Sequence, residues 1–166
     1  MANLDLRLRS ADIHWPGGHT PLDADLFAHN DIVIAAPRVV VWNNIVAAEA
    51  WPQWYPNSQS VKVTGTDTGT LQTGSQFTWT TFGLPIASTV SEYIEGSRIG
   101  WFGTSDGLLA YHTWLLADIP DGCYVVMEEA VKGPGAVTMR QTDPDGMHRG
   151  HRLWNEALKW ISEKTR

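Results

Sequence analysis

Residues Ile32–Pro56 read IVIAAPRVVVWNNIVAAEAWPQWYP, and this run decides the fold. It opens as an extended segment that Pro37 must end, because proline fixes φ, removes a donor and pushes the preceding residue to extended geometry. Beyond Pro37, Val41, Ile45 and Ala48 recur at helical spacing with Trp42 beside them, which predicts a short helix over 38–49 lying on a sheet. Trp51, Pro52, Trp54, Tyr55 and Pro56 then place three aromatic rings and two rigid φ angles within six residues. So stiff and apolar a segment is expected to form a wall or lid, with Trp51 and Trp54 near the rim of whatever it closes.

Working outward, Ala28–Ala36 alternates and predicts a first strand. After the Trp/Pro cluster come six more segments of strand type: Val61–Val63, Gln76–Thr81, Ile86–Ile94, Arg98–Thr104, Leu109–Ile119 and Tyr124–Val131. Short turns such as Glu95-Gly96-Ser97 and Pro120-Asp121-Gly122 join several of them, the pattern of an antiparallel meander. Asp143–Gly146 then starts a final amphipathic helix of about 18 residues. Its apolar face is expected to carry Gly150, Leu153, Trp154, Ala157, Leu158 and Ile161. The expected fold is α+β: a strongly bent antiparallel sheet of about seven strands wrapped around a long C-terminal helix. Two short helices follow the first strand, and a hollow lies between sheet and helix. Residues 1–28 lack periodicity and are expected to form an arm that either lies over the body, pinned by Trp15, or is partly mobile. Residues 29–166 are expected to form one domain.

Composition narrows the function. The chain has 166 residues and a formal charge of −6, which argues against nucleic acid, whose binding needs a basic face to displace counterions. Its N-terminus has no apolar leader core, and no apolar run approaches the ~20 residues of a membrane span, so no stable membrane insertion is expected. One cysteine, Cys123, cannot form an internal disulfide, and a cytoplasmic protein is expected, as a monomer or homodimer. Nine Trp are the anomaly. Each ring buries about 150–250 Å² and wants its indole N–H paired. Such an excess means either a very aromatic core or a ring-lined cavity, and five inward rings in so small a core favour the cavity.

Several pieces, in order, resemble the START-related helix-grip superfamily, also called SRPBCC or the polyketide cyclase/dehydratase-like group. They are the strand–Ala-Pro–Val-Trp run ending at Trp42, the Trp51/Trp54 pair, Leu71–Gly74, Ser88–Glu92, Ile99–Trp101, His112–Trp114, GCYVVMEEAVKG at Gly122–Gly133, and the Trp154–Trp160 helix. The likeness spans residues 29–164 and implies a deep apolar cavity between sheet and C-terminal helix that accepts a hydrophobic small molecule or lipid. The superfamily holds binders, carriers, enzymes and chaperone activators, so fold alone does not select among them.

Strand alternation nominates the chemistry. Val125, Met127 and Glu129 share a face, as do Ile86, Ser88, Val90 and Glu92, and His112, Trp114 and Leu116. If the apolar members face the hollow, Ser88, His112 and Glu129 do too, with Glu92 nearer one end. The expected ligand-binding set is Trp42, Trp54, Trp79, Ser88, Val90, Trp101, His112, Trp114, Met127, Glu129, Trp154 and Leu158. An acid and an imidazole in an apolar pocket have shifted pKa values and can move protons. This nominates His112 and Glu129 as a catalytic pair, with Ser88 or Tyr111 donating to a substrate carbonyl. The competing reading pairs Glu129 and Glu92 with rim arginines and leaves His112 a satisfied core histidine. His148 and His151 lie three apart on the last helix and would need a third ligand such as His112 to hold a metal. They are expected to be solvated, with no metal site and no cofactor.

Three functions stay open: binding of a lipid-like, polyketide or aromatic small molecule; a cyclase/dehydratase using the same cavity without metal; and a chaperone-activator-like interaction domain. The last requires a filled, dry interior, whereas a hollow well below ~300 Å³ counts against a sizeable ligand.

Overall fold

The computed structural model describes residues 2–165. The elements run α1 (Ala2–Leu8), β1 (Leu26–Ile34), α2 (Arg38–Val46), a 3₁₀ helix (Ala48–Gln53), β2 (Gln59–Thr64), β3 (Gln76–Thr81), β4 (Leu84–Ile94), β5 (Arg98–Ser105), β6 (Leu108–Ile119), β7 (Gly122–Lys132), α3 (Pro134–Thr142) and α4 (Gly146–Lys164). The strands form one antiparallel sheet in the order β1-β7-β6-β5-β4-β3-β2, open between β1 and β2. This is the α+β helix-grip arrangement expected from the sequence. Two helices were not expected: α1, within the arm, and α3, where Pro134 occupies the first turn and supplies the φ that a helix start needs.

Register decides which side chains meet. Along β6 and β7, His112 pairs with Glu129, Trp114 with Met127 and Leu116 with Val125, and Trp101 of β5 lies opposite His112. These residues face α4. A bulge in β4 breaks the alternation, because Val90 pairs with Trp101 while Glu92 pairs with Gly100. One inserted residue turns the following side chains over. Glu92 therefore emerges on the outer face and meets His14 of the arm at 2.6 Å, against the expectation that it faces the hollow.

The outer face is covered by the arm. Trp15 packs edge-on against Phe27 and Tyr111, with ring centroids 6.1 and 5.8 Å apart. Ile13 is buried, and the Ser10 amide donates to the Glu128 carboxylate at 2.6 Å. Tyr111 thus points away from the hollow, so its expected role as a donor to a substrate carbonyl is corrected.

α4 packs on β1 and α2 and buries Met147, His151, Trp154, Asn155, Leu158 and Ser162. The face is rotated from the expected one: Leu153 is 44% exposed, and His151 and Asn155 point inward in its place. Ala157 and Ile161 are half-buried against the core.

Candidate functional site

The space between sheet and α4 is occupied by interlocked rings. Trp51 is wholly buried and stands within 5.2–5.8 Å of Phe77, Trp79, Trp101 and Trp154, centroid to centroid. Tyr55 stacks on Trp154 at 4.7 Å and 3°. Pro52 lies inside the 3₁₀ helix, whose tight turn drives Trp51 inward, where its indole N–H donates to the Ile45 carbonyl at 2.9 Å. The expected rim position of Trp51 is therefore wrong, and the rings pack one another more than they line a void. The remaining cavity measures about 60 Å³, room for a few water molecules. This corrects the expected deep cavity.

One wall of the cavity is polar. His112 Nδ1 lies 3.2 Å from Glu129 Oε2, and His151 Nε2 lies 2.8 Å from the same oxygen. The first two residues meet because β6 and β7 pair them across the ladder; His151 joins because it sits one helical turn before Trp154 on the buried face of α4. His112 stacks on Trp101 at 4.6 Å and 16° and meets His151 edge to face at 5.3 Å. Burial pulls the His112 imidazole pKa down more than its bond to Glu129 raises it, which favours the neutral ring. Burial pushes the Glu129 carboxyl up, but its interactions with the two imidazoles, their hydrogen bonds foremost, outweigh this and hold it well below the usual carboxylate range. His112 Nε2 and His151 Nδ1, the nitrogens turned away from Glu129, find no partner among the described residues.

The expectation that His148 and His151 are both solvated is overturned. His151 is 1% exposed, and half-buried His148 pairs with Asp5 at 3.1 Å. No arginine binds Glu129 among the ion pairs of the described residues. One potential ligand atom from each of His112, Glu129 and His151 lies within 4.8 Å of the other two, a grouping that could hold one metal ion.

Of the residues expected to bind ligand, Trp79, Trp101, His112, Glu129 and Trp154 line the cavity. Trp42 instead packs against Tyr93, and Trp54 lies half-buried against Tyr55. The Ser88 hydroxyl accepts the Trp79 indole N–H at 3.2 Å. Val90, Trp114, Met127 and Leu158 are buried in the packed core and form none of the cavity wall. Reading the sequence missed Phe82, Leu108, Met139 and Met147 and set His151 aside as solvated, yet all five line it. For His151 a signal existed: it precedes Trp154 by three residues, a spacing that shares a helix face.

Phe82 covers the cavity from the β3–β4 hairpin tip. Its φ of 51° and that of Gly83, 73°, are the two left-handed positions of a two-residue turn that favours Asn-Gly. A bulky ring there costs of order 1–3 kcal/mol. Its seat is Gly150 of α4, and its amide donates to Asn57 Oδ1 at 2.9 Å. Asn57 in turn donates to the Tyr55 hydroxyl at 3.0 Å, tying the hairpin tip to the Trp/Pro segment.

The model of the family described as polyketide cyclase/dehydrase and lipid transport matches residues 28–159. No curated protein matches the chain. Among solved structures, the chain is similar to the hypothetical protein jhp0584 from Helicobacter pylori, at 24% identity and TM-score 0.86 over 93% of this chain and 98% of that one. It is also similar to a START superfamily protein from Mycobacterium smegmatis, at 15% identity and TM-score 0.65 over 84% and 99% of the two chains. A third likeness is to the di-domain ARO/CYC StfQ from the steffimycin biosynthetic pathway, at 11% identity and TM-score 0.69. It covers 85% of this chain and 52% of that one. At these identities the structural likeness speaks to fold. No helix among the described residues is long and apolar enough to cross a membrane.

Proposed function

Because the chain belongs to the polyketide cyclase/dehydrase and lipid transport family, we propose that it binds a small, largely apolar ring compound bearing one oxygen group. The binding space is the hollow between β3–β7 and α4, with the oxygen directed at His112, Glu129 and His151. The observation that carries this reading is an otherwise apolar cavity with its polar groups converged on one wall; polar groups so placed orient a ligand. At about 60 Å³ the closed cavity is far below the ~300–1,000 Å³ of typical ligand sites. Binding therefore requires the Phe82 hairpin to lift and the flexible side chains of Met139 and Met147 to repack.

Naphthol and naphthalene test this through quenching of tryptophan fluorescence and calorimetry. Naphthol should bind the wild type more tightly than naphthalene, and Phe82→Ala should strengthen both. If neither compound binds Phe82→Ala, the ligand reading fails.

The filled interior favours a second reading, a protein-interaction domain, whose contact surface would include Leu153 and Trp160, 44% and 55% exposed on α4. That reading is supported if both ring compounds fail to bind. The enzymatic version of the first reading casts His112 and Glu129 as the acid–base pair. Turnover of a bound compound that is unchanged in His112→Ala and Glu129→Gln would exclude it.

A further inference from the structure

We propose that His112, Glu129 and His151 form a mononuclear site for a divalent transition-metal ion. His112 Nδ1, His151 Nε2 and a Glu129 carboxylate oxygen would be its three protein ligands. This departs from the expectation that the chain holds no metal, and it stands on side-chain placement independently of the ring compound proposed above.

The donor set comes first. Two neutral imidazoles and one carboxylate make a nitrogen-rich site suited to Zn²⁺, Fe²⁺ or Co²⁺ rather than to Mg²⁺ or Ca²⁺, which take oxygen donors. Spacing comes second. Metal–ligand bonds of 2.0–2.2 Å place neighbouring ligands roughly 3.0–3.5 Å apart in tetrahedral or octahedral geometry. Both nitrogens already approach the shared oxygen at 3.2 and 2.8 Å, and all three groups lie within 4.8 Å. Closing the remaining gap between the two imidazole nitrogens around one ion completes the set.

Rigidity comes third. His112 and His151 are 3% and 1% exposed. His112 is clamped by Trp101 and Trp154, and the two imidazoles meet at a near-right angle. The His112 ring cannot swing away without unpacking a Trp, and the His151 ring is held between His112 and Phe82. Two of the ligands come from paired strands and the third from the helix, so the metal would also bridge sheet to α4.

An accessible position comes fourth. Three protein ligands leave at least one position for water or substrate, the mark of a reactive rather than a purely structural site. The cavity of about 60 Å³ borders all three residues and has room for that water. The outward nitrogens, His112 Nε2 and His151 Nδ1, lack partners, whereas metal-bound imidazoles usually donate from that position. Each missing partner weakens a metal roughly tenfold to hundredfold, so an affinity of about micromolar is expected.

The test uses the full chain, stripped with chelator and titrated separately with Zn²⁺ by calorimetry and Co²⁺ by visible absorption. One equivalent should bind per chain. Glu129→Gln and His151→Ala should each weaken binding at least tenfold, whereas His148→Ala should leave it unchanged. Nitrogen-15 spectra of the wild-type histidine rings report the same site without any variant: Zn²⁺ should shift His112 Nδ1 and His151 Nε2. Absence of saturable Zn²⁺ and Co²⁺ binding below roughly 100 µM, or shifts confined to other histidines, would overturn the proposal. Naphthol binding is measured on the stripped chain, so the ligand reading and the metal site can fail separately.

Discussion

Phe82 rests where Gly150 has no side chain: a β-carbon on Gly150 would lie 2.3 Å from the Phe82 Cζ atom and 2.5 Å from Cε1. The hairpin tip and the helix approach this closely because Gly150 carries no side chain, and Phe82 lines the cavity there.

Gly150→Ala should unseat Phe82 while leaving α4 intact. In an open helix this change stabilises by about 0.5–1 kcal/mol; here the clash should cancel that gain. Acrylamide quenching of the tryptophans lining the cavity should rise, and so should the association rate of naphthol. Unchanged quenching in a folded variant would show that Phe82 is no lid.

Trp51 is the hub of the ring cluster. Trp51→Ala should cost about 3–5 kcal/mol by leaving a cavity among four aromatic neighbours, read as a lower midpoint in urea. Trp51→Phe keeps much of the ring but loses the bond to the Ile45 carbonyl, and should cost less. A loss below about 1 kcal/mol for the alanine variant would mean that the interior collapses freely.

On the outer face, His29 Nδ1 meets Glu128 Oε1 at 2.7 Å, with side chains 7% and 0% exposed. The same oxygen accepts the Ser10 amide of the arm. His29→Leu leaves a buried carboxylate without its imidazole and should cost about 3–5 kcal/mol. Adding Glu128→Leu should recover much of this while freeing the arm to protease near Ser10. Strictly additive losses in the double variant would refute the coupling.

Cys123 is fully buried, and burial pushes its thiol up to about 11. The thiolate is the reactive form, so a disulfide reagent near neutral pH should label the native protein slowly, at a rate set by unfolding. Labelling should quicken as pH rises towards that value or when urea is added. Immediate stoichiometric labelling near neutral pH would contradict the buried placement.

How much of this was legible depends on the distance over which each signal acts. The β7 alternation of Val125, Met127 and Glu129 is local, and it correctly puts Glu129 beside His112 on the face towards α4. Glu92 defeated the same rule, because the bulge after Val90 is a property of pairing with β5 and leaves no clear mark in Ser88–Glu92. Leu153 and His151 exchanged their expected roles because a helix with polar and apolar residues on several sides is oriented by its partner. α3 was hidden by Gly133-Pro134-Gly135, which reads equally as a turn.

The sequence alone determined the order of strands, the final helix, the break at Pro37 and the family resemblance, since these depend on periodicity and on backbone limits set by individual residues. Tertiary structure alone decided that Trp51 fills the interior, that the cavity shrinks to about 60 Å³, and that His151 reaches His112 and Glu129. Periodicity states which way a side chain points along its own element. How close two elements approach is set by the packing of every ring between them, and at that distance three scattered residues become one site.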